Sequence, residues 1–350
     1  MKVRLAKPVF FGEELKEIKA VLESGWWTQG PKVAEFEREF AEYTGARYAV
    51  AVSSCTAALH LALLMSEQQS VAVPDFTFPS IANSALAMGY DLDLLDVDPD
   101  TYNMSEIDYE GCVVPTHTFG NPCDMDKIKA PFIIEDAACA IGSHFKDKHM
   151  GTFGDVGCFS FHPRKLLSTG KGGMLITNSE DLAEKAKMLR DHGRESKYKF
   201  MLQGYNFRMS DITAAIGIVQ LRHMPEILSK RRIQANYYTE LISQHEIPVM
   251  TQKTVEGADC NYQSYVVRLF EQDSQDVIGK MYERGIETQI GTYALHLQPT
   301  FSFHPPLQNS GKLYDTTLTL PLYHELSVEE QVYVIKSLKE ICHQIHARVV

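Results

Sequence analysis

The fold is decided by residues 48–64, which read YAVAVSSCTAALHLALL. A short apolar run from Tyr48 to Ser53 ends in small polar residues, and helical character follows from Thr56 to Leu64. A strand, a tight turn and a helix in this order direct free backbone N–H groups and the positive end of the helix dipole toward an anion. The stretch therefore predicts a β–α unit whose turn can bind an anionic group.

Further short apolar runs follow along the chain, with helical stretches between several of them. Residues 13–23 and 32–43 carry apolar side chains at helical spacing. Short buried strands that alternate with helices are typical of an α/β fold with a mainly parallel sheet flanked by helices. The predicted strands are residues 70–74, 93–96, 111–115, 131–134 and 158–161.

The pattern changes after a long helical stretch that runs from about Ser210 to His245. Beyond it, Ser264–Leu269 has the pattern of a strand and Ser327–Arg348 that of a helix. We expect a large α/β domain of residues 1–230 and a smaller C-terminal α+β domain of residues 231–350.

The bulk composition limits the classes of partner and compartment. The 350 residues are 44% apolar and 23% charged, with a net charge of −11. Such an acidic chain lacks the basic surface that nucleic-acid binding requires. No apolar window approaches the ~18 residues of a membrane span, and no signal peptide is recognisable. Seven scattered cysteines without a CxxC pair predict reduced thiols in a cytoplasmic protein.

A second informative segment, residues 132–138, reads FIIEDAA and places Asp136 at the carboxyl end of a buried strand. Open α/β sheets bind their ligands at this end of the strands. A carboxylate there can keep a heteroaromatic nitrogen protonated, which makes a pyridinium ring an electron sink. An isolated aspartate in this position is also consistent with an ordinary helix N-cap.

A third segment, residues 157–174, reads GCFSFHPRKLLSTGKGGM and carries two candidate lysines. A strand ends near Phe161, and the following loop carries Lys165 and then Lys171. A nucleophilic lysine needs a partly neutral amine, far from the reference pKa of roughly 10.4, and burial or Schiff-base formation achieves this. The segment is not a nucleotide P-loop, because Lys165 stands where that motif needs Gly and Gly172 where it needs Ser or Thr.

Six motifs occur in a specific order along nearly the whole chain. They are SGWWTQGP at 24–31, PDFTFPS at 74–80, EDAA at 135–138, FSFH at 159–162 with Lys165, GYNFRM at 204–209 and LPL at 320–322. In this order they resemble the DegT/DnrJ/EryC1/StrS family of pyridoxal-phosphate (PLP) sugar aminotransferases, which belongs to the fold-type I aminotransferase superfamily.

The resemblance implies a role for each matching residue. Lys165 would hold PLP as a Schiff base and later move protons, and Asp136 would pair with the pyridinium nitrogen. Phe78 would stack on the cofactor ring. Asn206 would reach the phosphate of the neighbouring subunit's cofactor, which implies a homodimer with active sites at the subunit interface. The residues at the phosphate-cradle positions are Cys55, Thr56 and Ser160.

Three positions depart from the family's pattern. The family often has Gly at position 55 and Gln at position 139, and both are Cys here. Cys55 still offers its backbone N–H to a phosphate, whereas Cys139 cannot reproduce the hydrogen bonds of an amide to the ring's 3-oxygen. The family usually has Glu where Lys171 stands, and nothing in the sequence explains this substitution.

The function implied by the resemblance is the transfer of an amino group from glutamate to a keto group of a nucleotide-linked deoxy sugar. Pyridoxamine phosphate (PMP) would form during turnover, and the product would enter a surface polysaccharide such as lipopolysaccharide O-antigen, a glycan or an antibiotic. Two alternatives stay open. Some members replace the lysine with His and carry out a dehydration, and His162 lies near Lys165 in the sequence. Other members are regulatory proteins, for which PLP binding without catalysis would suffice.

Three further features have competing interpretations. Trp26 and Trp27 are equally consistent with the core and with a position beside the substrate. His296 lies where the family's small domain approaches the substrate, although a structural histidine is as consistent. Donors on a single helix more often form a polar surface than a metal site, so we expect no metal at Cys342, His343 and His346.

Overall fold

The structure is a computed structural model that describes residues 2–270 and 272–349, and for residues 345–349 it describes the backbone only. The helices in these ranges are α1 (Glu13–Ser24), α2 (Pro31–Thr44), α3 (Cys55–Ser66), α4 (Ser80–Ala87), α5 (Glu180–Arg190), α6 (Asp211–Arg222), α7 (Met224–Gln244), α8 (Ser274–Glu283), α9 (Gln308–Thr316) and α10 (Val328–Val349).

The strands are short, and most of them belong to two sheets. Their bounds are β1 (Tyr48–Val52), β2 (Ser70–Pro74), β3 (Phe76–Thr77), β4 (Asp91–Leu95), β5 (Ile107–Asp108), β6 (Cys112–Val113), β7 (Ile128–Lys129), β8 (Phe132–Asp136), β9 (His144–Phe145), β10 (Lys148–His149), β11 (Val156–Ser160), β12 (Gly173–Thr177), β13 (Arg194–Ser196), β14 (Lys199–Phe200), β15 (Val249–Thr251), β16 (Ala258–Asp259), β17 (Tyr265–Leu269), β18 (Gln289–Ile290), β19 (Tyr293–Ala294) and β20 (Thr317–Leu320).

The central sheet has the strand order β1-β12-β11-β8-β6-β2-β4. The strands from β11 to β4 run parallel to their neighbours, and β12 pairs antiparallel with both β1 and β11. The predicted α/β fold with a mainly parallel sheet is confirmed. Parallel strands end at the same edge of a sheet, and for this reason the loops after β8 and β11 can build one site.

The helices after residue 210 and the strand after the lysine loop differ from the sequence prediction. The helical stretch predicted for residues 210–245 is two helices, α6 and α7, that meet at His223. Pro225 lies in the first turn of α7, where its missing N–H costs no hydrogen bond, and it cannot continue α6. Strand β12 was not predicted, because its apolar run directly follows the glycine-rich loop that carries the candidate lysines.

Helices cover both faces of the central sheet. On one face α2 and α6 bury residues such as Phe36, Phe40 and Ile218 against the strands. On the other face α3, α4 and α5 do the same with a separate apolar cluster. Phe36 and Phe40 are fully buried, and burial of such a side chain stabilises a fold by about 1.5–3 kcal/mol. The two packed faces hold the sheet edge rigidly.

A second core forms around a four-stranded antiparallel sheet of order β15-β17-β20-β18. Val3 belongs to this core, where its N–H donates to Gly285 O at 2.8 Å and its carbonyl accepts from Glu287 N at 2.9 Å. Helix α7 packs in both cores, because Ile227 belongs to the core beside the central sheet and Leu241 to the second core. The predicted boundary at residue 230 thus falls inside α7, and the division into domains stays a prediction.

The last helix carries the three residues that were considered for a metal site. Cys342 is buried in the second core, His343 is exposed, and the side chain of His346 lies outside the described residues. Across the part of the chain that the structure describes, His, Cys, Asp and Glu form no group of three that could hold a metal ion. Within the same ranges, we find no helix that combines the length and the apolar character of a membrane span.

Candidate active site

The ends of three central strands place the candidate residues along one edge of the sheet. Val52, the last residue of β1, is paired with Gly173, and Gly173 is paired with Ser160 at the end of β11. On the other side of β11, Asp136 at the end of β8 is paired with Cys158. The turn after β1, the Ser160 hydroxyl and the Asp136 carboxylate therefore share this edge.

The turn after β1 begins helix α3 and leaves two N–H groups free. The Ser54 hydroxyl caps the helix by accepting from Ala57 N at 3.1 Å. The N–H groups of Cys55 and Thr56 have no acceptor among the described residues. A Cβ atom on Gly173 would lie 2.5 Å from Cys55 N, so only glycine allows β12 to approach the turn this closely. Free N–H groups at the start of a helix form an arrangement that can bind an anion.

Lys165 lies in a tight turn immediately after β11. Its backbone N–H donates to His162 O at 2.8 Å, and its Nζ donates to Cys139 Sγ at 2.9 Å. Burial lowers the pKa of Lys165, but the neighbouring Cys139 sulfur and the Asp136 carboxylate outweigh it and raise that pKa above its ordinary value. The loop thus turns the amine back toward the strand that carries Asp136.

The Asp136 carboxyl group is buried and has little hydrogen-bonding support from the chain. Its Oδ1 accepts from Ala138 N at 3.1 Å, and no described residue donates to the other oxygen. Burial raises the pKa of Asp136 despite this hydrogen bond and the nearby Lys165. The helix N-cap interpretation of Asp136 is wrong, because turns and short strands follow it. A buried carboxyl group with a free oxygen can receive a cationic N–H donor.

Glu135 precedes Asp136 on β8, and its side chain points to the opposite face of the sheet. It accepts from His117 Nε2 at 3.0 Å and from the backbone N–H groups of Gly151, Phe153 and Gly154 at 2.7, 2.6 and 2.7 Å. Burial alone would raise the pKa of Glu135, but His117 and the backbone donors lower it. The sequence analysis assigned no role to this carboxylate, which anchors the loop before β11.

Two buried amides, which the sequence analysis missed, hold the lysine loop and the Cys139 turn. Gln263 accepts from Leu166 N at 3.0 Å and donates to Arg164 O at 2.5 Å. Asn261 donates from Nδ2 to the carbonyl of Cys139 at 2.8 Å. The only local signal is a pair of polar residues just before β17. We call Asn261 and Gln263 the amide clamp.

The other predicted site residues lie farther out. Phe78 is 62% exposed and borders a groove of about 360 Å³ that Thr56 and His60 also line. Asn206 is exposed, and its Oδ1 accepts from Arg208 Nε at 3.2 Å. In this single chain, neither Phe78 nor Asn206 has a hydrogen bond or ring contact to Lys165 or Asp136 within the described residues.

Four residues with open interpretations have definite positions. His296 is buried, and its Nδ1 lies 2.6 Å from Asp75 Oδ2, so its contact in this chain is structural. Trp26 and Trp27 are 57% and 56% exposed, so neither belongs to the core of the chain. Lys171 is exposed, in contrast to the half-buried Lys165.

Comparison with known proteins identifies the class to which this site belongs. The model of the DegT/DnrJ/EryC1/StrS aminotransferase family matches residues 10–339. The chain belongs to this family. Among its relatives, the spore coat polysaccharide biosynthesis protein SpsC of Bacillus subtilis is 33% identical, with 95% of both chains covered. The GDP-perosamine synthase of Escherichia coli O157:H7 is 32% identical, with 95% of this chain and 97% of that protein covered.

A solved structure agrees with this fold over the whole chain. The Streptococcus pneumoniae protein Spr1654 matches in its PMP form with a TM-score of 0.93 and in its PLP form with 0.92, at 24% identity. The alignments cover 100% and 99% of this chain and 100% of Spr1654. The fold is that of fold-type I PLP-dependent aminotransferases. The protein is a PLP-dependent sugar aminotransferase, as the resemblance implied, and PLP is its cofactor.

Proposed function

We propose that the protein transfers an amino group from glutamate to a keto group of a nucleotide-linked deoxy sugar, with PLP attached to Lys165. The observation that carries this assignment is the position of the Lys165 amine, which bonds Cys139 Sγ and lies close enough to the buried Asp136 carboxyl group for each charge to shift the other's pKa. The acceptor class is supported by the relatives, because a GDP-perosamine synthase is 32% identical over 95% of the chain.

The residues at the sheet edge fit PLP in charge and in position. The free N–H groups of Cys55 and Thr56, with the Thr56 and Ser160 hydroxyls, supply donors for a phosphate. The free oxygen of Asp136 supplies an acceptor for a ring N–H. Phe78, exposed beside Thr56, offers a ring face for stacking. Cys139 offers only a weak donor where the ring's 3-oxygen would lie.

When bound, PLP supplies an aldehyde carbon and a ring that withdraws electrons from the reacting amine. Lys165 would hold the cofactor covalently, and its amine, when free, would accept and return the proton that the reaction moves. The turn after β11, closed by the hydrogen bond from Lys165 N to His162 O, fixes the backbone that carries this amine. Asp136 would accept a hydrogen bond from the ring N–H and favour its protonated form, because a buried carboxylate is stabilised by a cationic partner.

We further propose a homodimer in which Asn206 of one subunit reaches the phosphate held by the other. Asn206 is exposed, while its neighbours Tyr205 and Phe207 pack against His60 of α3, with ring centroids 4.9 and 5.7 Å away. This packing holds the segment beside the helix that would bind phosphate. The seven free cysteines fit a cytoplasmic, reducing compartment. Residues 1–230 would bind the cofactor and residues 231–350 would border the substrate.

The product class follows from the relatives by analogy. The SpsC protein is named for spore coat polysaccharide biosynthesis, and the synthase from Escherichia coli O157:H7 for GDP-perosamine. We propose that the amino sugar made here enters a surface polysaccharide such as O-antigen, a glycan or an antibiotic.

A substrate panel tests the proposal. Purified protein with PLP and glutamate is incubated with nucleotide-linked keto sugars, and the products are identified by mass spectrometry. We expect one member to exchange its keto oxygen for an amine. Lys165→Ala should reduce this turnover by at least about 10³-fold, while the matched variant Lys171→Ala should retain it. A label on Lys171 after borohydride trapping would show that Lys171, and not Lys165, carries PLP.

The same samples separate the alternative functions. A PLP absorbance that shifts to that of PMP on addition of glutamate supports transamination. A PLP absorbance that does not respond to any amino donor indicates a binding protein, and loss of water from a keto sugar without incorporation of nitrogen indicates a dehydratase.

A further inference from the structure

Cys139 differs from the other cysteines in exposure and in its contact. All seven cysteines are free, and Cys139 is the one that is partly exposed. Its Sγ accepts a hydrogen bond from Lys165 Nζ at 2.9 Å. The six buried thiols are Cys55, Cys112, Cys123, Cys158, Cys260 and Cys342. A small oxidant from solvent would therefore meet Cys139 first, and the amine of Lys165 is already beside it.

The amide clamp holds the thiol and the amine at this distance. Asn261 donates to the carbonyl of Cys139 at 2.8 Å, and Gln263 bonds the backbone on both sides of Lys165 at 3.0 and 2.5 Å. Both amides belong to one buried stretch before β17. Since the two loops are tied to the same stretch, the sulfur and the nitrogen keep their relative position without help from a ligand.

We propose that hydrogen peroxide joins Cys139 to Lys165 through a reversible sulfur–nitrogen bond whenever the lysine is not attached to the cofactor. This inference rests on the proposed function for one point only, that PLP occupies the same amine. The lysine is free in the protein without cofactor and, during turnover, in the PMP form. At position 139 the family often has Gln, which cannot undergo this reaction.

The chemistry requires one equivalent of peroxide. In the first step the Cys139 sulfur attacks a peroxide oxygen, an S–O bond forms, the O–O bond breaks, and water leaves. In the second step Lys165 releases a proton to solvent and its nitrogen attacks that sulfur, an S–N bond forms, the S–O bond breaks, and the hydroxyl group leaves as a second water with a hydrogen from the amine. Sulfur is oxidised by two electrons and peroxide is reduced. Two equivalents of a thiol reverse the reaction and are themselves joined as a disulfide.

The cross-link would have two consequences for the enzyme. The nitrogen that PLP needs is occupied, so new cofactor cannot attach while the bond persists. The sulfur is also kept from further oxidation to the irreversible sulfinic and sulfonic acids. The pair would therefore stop the enzyme during exposure to peroxide and return it to use when thiols are restored.

The test uses the full-length protein stripped of cofactor and treated with one equivalent of hydrogen peroxide. After digestion without reductant, mass spectrometry should find the Cys139 and Lys165 peptides joined and about 2 Da lighter than their sum. Dithiothreitol should separate them and restore PLP attachment at Lys165. Lys171→Ala should give the same joined peptides, whereas Cys139→Ser and Lys165→Ala should give none.

Three outcomes would overturn the proposal: a joined product in Cys139→Ser, a Cys139 sulfinic acid with unjoined peptides, or no change at Cys139. The result is independent of the proposed function, because the cross-link is read without cofactor. Borohydride trapping of untreated, PLP-loaded protein reports separately on whether Lys165 carries PLP. Protein pre-loaded with PLP should resist the cross-link if both proposals are correct.

Discussion

Strand β8 carries two adjacent carboxyl groups whose side chains point to opposite faces of the central sheet. Glu135 receives four hydrogen bonds, and its pKa is lowered. Asp136 receives one, and its pKa is raised. The chain supplies Glu135 with a full set of hydrogen-bond donors, whereas it supplies Asp136 with one. A buried charge without hydrogen-bond or ionic partners lowers the stability of the fold. Such charges with shifted pKa values are concentrated at functional sites.

The largest effect is expected on stability at Glu135. Glu135→Ala leaves three backbone N–H groups and His117 Nε2 without their acceptor. Removing one partner from a buried charged network costs about 3–5 kcal/mol, so the free energy of unfolding should fall by that amount in chemical denaturation. A loss as small as that of an exposed substitution would contradict the anchoring role.

The next effect is expected on activity at Asp136. Asp136→Asn keeps the size of the side chain and removes the charge that would hold a ring N–H. Loss of a buried charge partner worth about 3 kcal/mol corresponds to a decrease in kcat of roughly 100-fold. The stability of the cofactor-free protein should not decrease, because Asp136 has only one hydrogen bond to lose. If this variant instead unfolds as readily as Glu135→Ala, the contrast between the two residues disappears.

The pH dependence of stability should have opposite signs at the two positions. The pKa of Glu135 is lowered from 4.5, so its stabilisation is present above pH 4.5 and is lost as the pH falls through the lower folded pKa. The pKa of Asp136 is raised, so its unfavourable contribution at neutral pH is relieved as the pH falls. Unfolding of the cofactor-free wild type and both variants from pH 7 down to about pH 2 measures the two trends. Parallel curves would show that the two environments are alike.

The smallest effect is expected at the amide clamp. Gln263→Ala removes one acceptor and one donor that hold the lysine loop, each worth about 0.5–1.5 kcal/mol. We expect slower turnover with a modest loss of stability, because Lys165 is positioned less well. Gln244→Ala, at an exposed site near the end of α7, is the matched control and should change neither.

The sequence was informative where a local pattern determines the structure. The run of residues 48–64 predicted β1, the turn and α3, and all three are found. The position of Asp136 at the end of a strand was also correct, since β8 ends there. Both features are determined by residues that are adjacent in the sequence. The pattern of apolar residues in such a segment predicts its local structure directly.

Contacts between distant segments could not be predicted in the same way. Gln263 lies 97 positions from Leu166, to which it is bonded, and no periodic pattern connects the two. The partners of Glu135 come from two different loops, so its sequence neighbourhood does not distinguish it from Asp136. Only the packing of the sheet shows which carboxylate is satisfied. The contact between Cys139 and Lys165 likewise joins two segments that no periodic pattern connects.

The insertion of Val3 into the second core has a consequence for how the chain acquires its shape during synthesis. Val3 leaves the ribosome well before its partners Gly285 and Glu287, which lie far along the chain from it. Val3 therefore stays without these partners until the segment that carries Gly285 and Glu287 has been made. The second core, and with it the packing around the loop that carries the amide clamp, can thus be completed only after Glu287 has been synthesised.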